Sequence, residues 1–273
     1  MSLLSPESLS VFVSPTELVA VRWRGISQQI VEKRIHAVAE IPGKTWEGAA
    51  HAFADLMRGH STCRQVRVIL SNHLTSYQLL PWREDLNDSD EELAVARMAF
   101  TATYGTAAAQ WQVRLNDEVP GVPKLAAAVD AELLAALQHT ADANKARLVS
   151  VEPYLAAAIN YWRKRFNRSY SSWIVLHEEG RICIALIERG VWRWVRSLRT
   201  GVDWSASLPD MLDNEMLLAG IENSPSQALI FSPATPELAV RSGSRWSLRS
   251  LTLDARTNFS PVGDAHFGLA LVG

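Results

Sequence analysis

Three stretches of the chain carry residue types at spacings that could do chemistry. Pro42-Gly43-Lys44-Thr45 holds Gly-Lys-Thr as a phosphate-cradling loop would. Such a loop also needs a glycine five residues before Gly43, where the backbone turns onto the phosphates, and that position is Val38. The run reads instead as a turn with Thr45 capping a helix. Asp85 to Glu92 offers the oxygen ligands of a calcium loop, but Asp90 stands where the sharp turn demands glycine, and Ser89 and Glu91 break the remaining spacing. Acids ahead of an apolar periodic run suit the positive end of a helix dipole, and Ser89 with Glu92 fits a capping box. The third stretch, Tyr161 to Arg168, interleaves aromatic and basic side chains. It could touch anionic lipid or an acidic partner; its structural reading is a solvated helix end, where cations complement the dipole.

Other chemistry lacks its residues. The seven histidines are scattered, His51 and His60 lie nine apart, and no zinc spacing or Gly-x-Ser-x-Gly motif is present. The only cysteines, Cys63 and Cys183, read as free buried thiols of a reducing compartment. A net charge of −2 argues against a dedicated nucleic-acid binder. No apolar run reaches the length of a membrane-spanning helix, and the first residues lack the basic and apolar regions of a signal peptide. With 48% hydrophobic and 21% charged residues, 273 residues suffice for two domains or one large one.

The elements that position these residues fall into two similar series. Leu9 to Val13 and Leu18 to Trp23 predict paired strands around Ser14-Pro15-Thr16-Glu17, followed by a strand over Gln29 to Ala39. A helix follows with Trp46, Ala49, Ala50, Phe53 and Met57 on one face, then a strand over Val66 to Leu70. The second series repeats that order. Strands at Trp173 to Leu176, Ile182 to Ile187 and Val191 to Leu198 turn at Gly180 and Gly190, before a helix within Trp204 to Ile221 and a strand at Ala228 to Phe231. Unbroken apolar runs such as Ile182 to Ile187 suit a sheet covered on both faces. In the last strand of the second hairpin pair, Trp192, Trp194, Arg196 and Leu198 share one face, predicting core packing for the tryptophans, while Arg193 and Arg199 share the other, solvated or lining a cleft between the halves. Between the series lie a strand over Leu74 to Trp82, a helix to Tyr104, strands at Trp111 to Leu115 and Lys124 to Val129, and a helix over Ala131 to Ala143. Leu148 to Val151 returns to the main sheet, and Pro153 starts a helix through Leu155, Ile159, Trp162 and Phe166.

This layout resembles the actin-like ATPase superfamily, and within it the PilM, GspL and FtsA group. The resemblance is carried by Leu137 to Trp162 with its Val-Glu-Pro and Ala-rich helix, by Asp88 to Phe100, by Gly190 to Gly201, and by the closing Ala265 to Gly273. It implies a duplicated α/β, ribonuclease H-like fold of two lobes. The first lobe would span 1–166, with a β-α-β-β-α subdomain inserted at about 74–143, and the second 167–273. Members that hydrolyse ATP carry Asp-x-Gly-(Ser/Thr) at both hairpin tips, Gly so that amides approach the phosphates and Asp to hold Mg²⁺ through water. Here the matching positions are Phe12 and Ser14 in the first tip, and Leu176 or His177 and Glu178 in the second. The segment matching the Gly-rich adenine loop, Phe231 to Pro236, has no glycine.

The resemblance therefore implies a non-catalytic cytoplasmic scaffold, peripheral at the inner membrane, in a type IV pilus or type II secretion assembly platform. Its expected partner is the cytoplasmic tail of a membrane protein, with no cofactor, no metal and no nucleic acid; a homodimer is compatible. Tyr77, Trp82, Met98, Tyr104 and Trp111 are the expected tail-binding residues, being large apolar groups in a module too small to bury them all. Any one of them reads equally as core. The alternative is a divergent actin-like ATPase or a sugar-kinase-like phosphotransferase.

Overall fold

The computed structural model describes residues 7–25, 29–86, 88–165, 171–221, 224–233 and 244–273. The first strands are β1 (Glu7–Val13), β2 (Glu17–Arg24) and β3 (Gln29–Ala37), followed by helix α1 (Glu47–Gly59) and β4 (Gln65–Leu70). Next come β5 (Ser76–Leu80), α2 (Ser89–Tyr104), β6 (Trp111–Leu115), β7 (Lys124–Asp130), α3 (Ala131–Ala143), β8 (Arg147–Pro153) and α4 (Tyr154–Tyr161). The remainder is β9 (Ser171–Glu178), β10 (Arg181–Glu188), β11 (Val191–Arg199), α5 (Trp204–Leu218), β12 (Gln227–Phe231) and β13 (Ser247–Ser250).

Two five-stranded sheets have the orders β3-β2-β1-β4-β8 and β11-β10-β9-β12-β13. In each, three antiparallel strands run from one edge and two further strands join in parallel. The order third, second, first, fourth, fifth recurs, so the duplication expected from element order is present in the topology. Local sequence explains the meanders. Arg189 and Gly190 both have positive φ (50° and 80°), which matches the twist of a two-residue hairpin between β10 and β11. The parallel strands need crossovers, which α1 and α5 supply.

In the first sheet Leu9, Val11, Val13, Leu18 and Ala20 pack under Phe53, Leu56 and Met57 of α1 and Leu133 and Leu137 of α3. In the second, Trp173, Val175, Ile182, Ile184 and Leu186 pack with Trp204, Leu208 and Leu212 of α5. Each such large side chain contributes roughly 1.5–3 kcal/mol by leaving water. A third sheet, β5-β7-β6, carries α2, whose Ala96 and Phe100 bury against Val113, Ala126 and Ala128.

By contacts the chain forms two compact units: Met1–Thr75 with Val129–Tyr161 and Leu253–Gly273, and Ser76–Ala128 with Trp162–Thr252. This partition differs from the chain-order division at residue 166: Ser76–Ala128 and 162–166 fall with the second sheet, and Leu253–Gly273 with the first. The last residues pack with the first sheet, because Leu269 to Val272 bury there, and β5 lies alongside β11.

Several local expectations shift. The first residue of α1 is preceded by Trp46, which makes no side-chain cap, so Thr45 does not cap it. Lys44 instead donates to Glu132 Oε2 at 2.7 Å, and the Trp46 indole donates to Asp130 Oδ2 at 3.0 Å, tying this turn to the start of α3. Asp88, not Ser89, caps α2, accepting from the amides of Asp90 (2.8 Å) and Glu91 (2.9 Å). A carboxylate one residue earlier is the stronger acceptor at the positive helix end. Glu92 is then free to pair with Lys124 at 2.7 Å. Helix α4 ends at Tyr161; Phe166 and the rest of the basic-aromatic run beyond Arg165 lie outside the described residues. Both cysteines are free and buried, and burial pushes the Cys63 thiol up to about 11 and the Cys183 thiol higher. Neither is a thiolate nucleophile at neutral pH.

Candidate functional site

The two hairpin tips sit at the carboxyl ends of the central parallel strands, where open α/β sheets place their ligands. In the first tip, Phe12 is 1% exposed and meets Tyr154 edge-on, with ring centroids 5.4 Å apart. The position that would hold a metal-binding carboxylate is therefore an aromatic contact between β1 and α4. Ser14, 4% exposed, closes the turn on itself. Its Oγ accepts from the amides of Thr16 (3.3 Å) and Glu17 (3.0 Å) and donates to the Glu17 carbonyl (2.9 Å). Those amides are the donors a phosphate would need, and the hydroxyl already occupies them. The neighbouring Glu17 carboxylate takes the His266 Nε2 at 2.8 Å.

The second tip is closed differently. Leu176 is fully buried in the sheet, and Glu178, 5% exposed, stands where a glycine would let a phosphate approach. His177 is 6% exposed and stacks on the Trp204 indole, centroids 4.0 Å apart at 16° between planes. Its Nδ1 lies 3.0 Å from Ser232 Oγ, just past the end of β12. Burial lowers the imidazole to about 4, so it is neutral at physiological pH. Phe231, Ser232 and Pro233 are buried; Ala234 to Pro236 of the glycine-free segment lie outside the described residues. A Mg²⁺-nucleotide does not fit these groups. Phe12 and Leu176 offer no ligand to a metal, and the first turn's amides are taken. No cluster of three or more His, Cys, Asp or Glu able to hold a metal occurs among the described residues.

The five expected tail-binding residues separate. Tyr104 and Trp111 come together, centroids 5.0 Å apart, and both flank Phe100 of the α2 core. Trp111 faces that core and Tyr104 is 43% exposed at its rim. Met98 is 71% exposed on the outer side of α2, and Trp82 is 42% exposed just after β5. Tyr77 is only 7% exposed. Alternation along β5 explains this: Gln78 and Leu80 face α2, and Tyr77 the other side, where it too is covered. In β11 the expectation of core packing holds for Trp194 and Leu198 but not for a shared tryptophan face: a register shift at Leu186/Ile187 sets Trp192 opposite Ile187, on the other side of the strand, where it too is buried. Trp194 and Leu198 pack on the second core, and Glu215 of α5, 3% exposed, accepts from the Trp194 indole (2.8 Å) and Arg196 (3.1 Å). Arg193 pairs with Glu188 at 3.1 Å. Tyr154, Trp204 and Ser232, which fill the tips, carry no sequence signal beyond ordinary apolar or turn patterning.

With this geometry the chain matches solved structures over nearly its full length. It is similar to the cytoplasmic domain of EpsL, an inner-membrane component of the type II secretion system of Vibrio cholerae, with a TM-score of 0.61 and 13% identity over 98% of this chain and 95% of that one. It is similar to a chain of the PilM–PilN type IV pilus biogenesis complex, with a TM-score of 0.65 and 14% identity over 97% of each chain. A Bacteroides thetaiotaomicron protein of actin-like ATPase fold aligns with a TM-score of 0.53 and 12% identity over 83% of this chain and 81% of that one. No protein-family profile and no curated protein sequence matches the chain. The fold is thus the actin-like ATPase fold. The sequence resemblance had implied that fold.

Proposed function

We propose that this chain is a non-catalytic assembly protein of a type IV pilus or type II secretion apparatus. It works at the cytoplasmic face of the inner membrane and holds the cytoplasmic tail of a membrane protein. The observation that carries this reading is that both hairpin tips of an actin-like fold are filled from within. Phe12 and the Ser14 hydroxyl fill one, Leu176 and a neutral His177 the other. The likeness to an EpsL cytoplasmic domain and to a PilM–PilN complex supports the assembly role. Among the described residues no helix is long and apolar enough to cross a membrane, which suits a protein recruited through a partner's tail. Trp82, Met98 and Tyr104 supply exposed apolar anchors on and beside α2 for such a tail.

Two measurements test it. Titration with Mg-ATP, followed by thermal melting, should leave the melting temperature unchanged; a nucleotide-dependent rise would favour the phosphotransferase reading. Affinity capture from the native membrane fraction should retain an inner-membrane pilus or secretion protein with the wild type and lose it with Met98→Asp. Capture that is indifferent to Met98→Asp, Trp82→Ala and Tyr104→Ala would remove α2 from the binding surface.

A further inference from the structure

A groove of about 600 Å³ runs along the outer side of β3, lined by Ile30 to Lys33 and by Arg256, Asn258, Phe259, Ser260 and Asp264. All its lining residues belong to one compact unit. Among the described residues β3 is the edge strand of its sheet and pairs only with β2. The Val38 amide donates to the Thr16 carbonyl at 2.9 Å. Antiparallel ladders alternate, so His36, Arg34 and Glu32 spend their backbone groups on β2. Lys33, Ile35 and Ala37 turn theirs outward. The strap 256–260 covers only the beginning of this edge, where Asn258 Nδ2 donates to the Ile30 carbonyl at 2.8 Å. Beyond it no described residue pairs with the edge, and the Ile35 side chain is 49% exposed.

The charges in the groove do not balance locally. Lys33 is neutralised by Asp264 at 2.5 Å, and Glu32 by Arg22 at 2.8 Å and by Arg34. Arg256 has no carboxylate within ion-pair distance among the described residues. Asp254, two residues away, contributes only its amide, which donates to the Tyr161 hydroxyl at 3.3 Å. The guanidinium is fixed by rings: it lies 5.6 Å from the Trp23 centroid and 5.8 Å from that of Tyr161, and Nη2 donates to the Tyr161 hydroxyl at 3.4 Å. A permanently charged, pre-positioned planar fork beside an open strand edge is built to receive an anion delivered by an extended chain.

We propose that β3 takes an extended peptide by strand addition and that an Asp or Glu of this peptide pairs with Arg256. Backbone bonds to Lys33, Ile35 and Ala37 supply the docking, and Arg256 sets the register. The strip uses none of the residues of the tail-holding surface proposed above, so either can fail alone.

The test selects a phage-displayed library of random seven-residue peptides on the purified chain. It then measures fluorescein-labelled synthetic copies of the enriched peptides and their Gln or Asn counterparts by anisotropy. Enriched peptides should share one acid flanked by β-branched residues. Arg256→Gln should weaken binding about tenfold or more, and replacing the peptide acid should weaken wild-type binding equally. Ile35→Pro removes an outward amide without touching the β2 ladder, and should abolish binding even if Arg256→Gln folds poorly. Bound peptide should also slow hydrogen exchange at Lys33, Ile35 and Ala37. Any one of three results overturns the proposal: no enrichment, enrichment without an acid, or binding indifferent to both variants.

Discussion

The two hairpin tips occupy equivalent positions in sheets of identical strand order, yet they are closed by opposite means. The first tip is sealed by short-range economy. One serine hydroxyl three residues from its acceptor satisfies the turn, and one aromatic contact plugs the position beneath it. The second is sealed by long-range burial: an imidazole sits between a tryptophan face and a serine 55 residues away, at the expense of its basicity. A shared topology therefore does not carry a shared site. The sheet order is maintained by hydrophobic burial along whole strands, whereas each tip depends on two or three groups that can be replaced without disturbing the sheet.

The largest expected effect comes from restoring the acid in the first tip. Phe12→Asp removes a fully buried ring and buries a carboxylate in its place, and should cost about 4 kcal/mol or more, measured by urea unfolding. Phe12→Ala, which isolates the cavity, should cost about 3–5 kcal/mol. If Phe12→Asp folded and bound Mg-ATP, the first tip would be a nucleotide site one substitution from recovery, and the contrast between the tips would collapse.

The second tip should report itself through pH. His177 titrates near 6.5 when unfolded and at about 4 when folded. Above pH 6.5 both states are neutral and the stability is fully present. As pH falls from 6.5 towards 4, only the unfolded chain takes up the proton, so stability declines, by roughly 3 kcal/mol in total for a shift of this size. His177→Phe keeps the stacking and should flatten that slope; an unchanged slope would mean that another group governs acid sensitivity. The first tip offers a smaller effect. Ser14→Ala should cost about 1–2 kcal/mol by leaving the Thr16 and Glu17 amides unsatisfied. Ser14→Gly would expose those amides to ligand; phosphate protection of that variant alone would show that the hydroxyl is what excludes anions. Smallest of all, Met98→Ser should change stability by under about 0.5 kcal/mol, since its side chain touches mostly water, which separates a binding defect from a folding defect.

Much of the framework was legible. Runs such as Ile182 to Ile187, broken by Gly180 and Gly190, define strands because strand formation and turning are local properties of side-chain branching and positive φ. Caps were legible only to within a residue, since Asp88 and Ser89 are both competent and the geometry of the whole α2 start selects between them. The short strand β13 escaped notice because its residues are mostly exposed and show no apolar alternation. Of the tip positions, the absent acids and glycines were readable directly. The Tyr154, Trp204 and Ser232 partners were not, because nothing in a local pattern says which distant side chain will fill a turn. Arg256 was equally silent: its aromatic neighbours, Trp23 and Tyr161, are remote in sequence.

The order of apolar runs, turns and helical periodicities by itself determined two matching series of meander, helix and parallel strand, with a small module between them in the sequence, because those signals act over a few residues and only the register of whole strands has to follow. Tertiary structure alone decided how the tips are filled, where the last residues pack and which edge is left open. Those outcomes depend on which polar atoms find partners and which rings meet after the chain has closed, and satisfaction of that kind is a property of positions in space rather than in sequence.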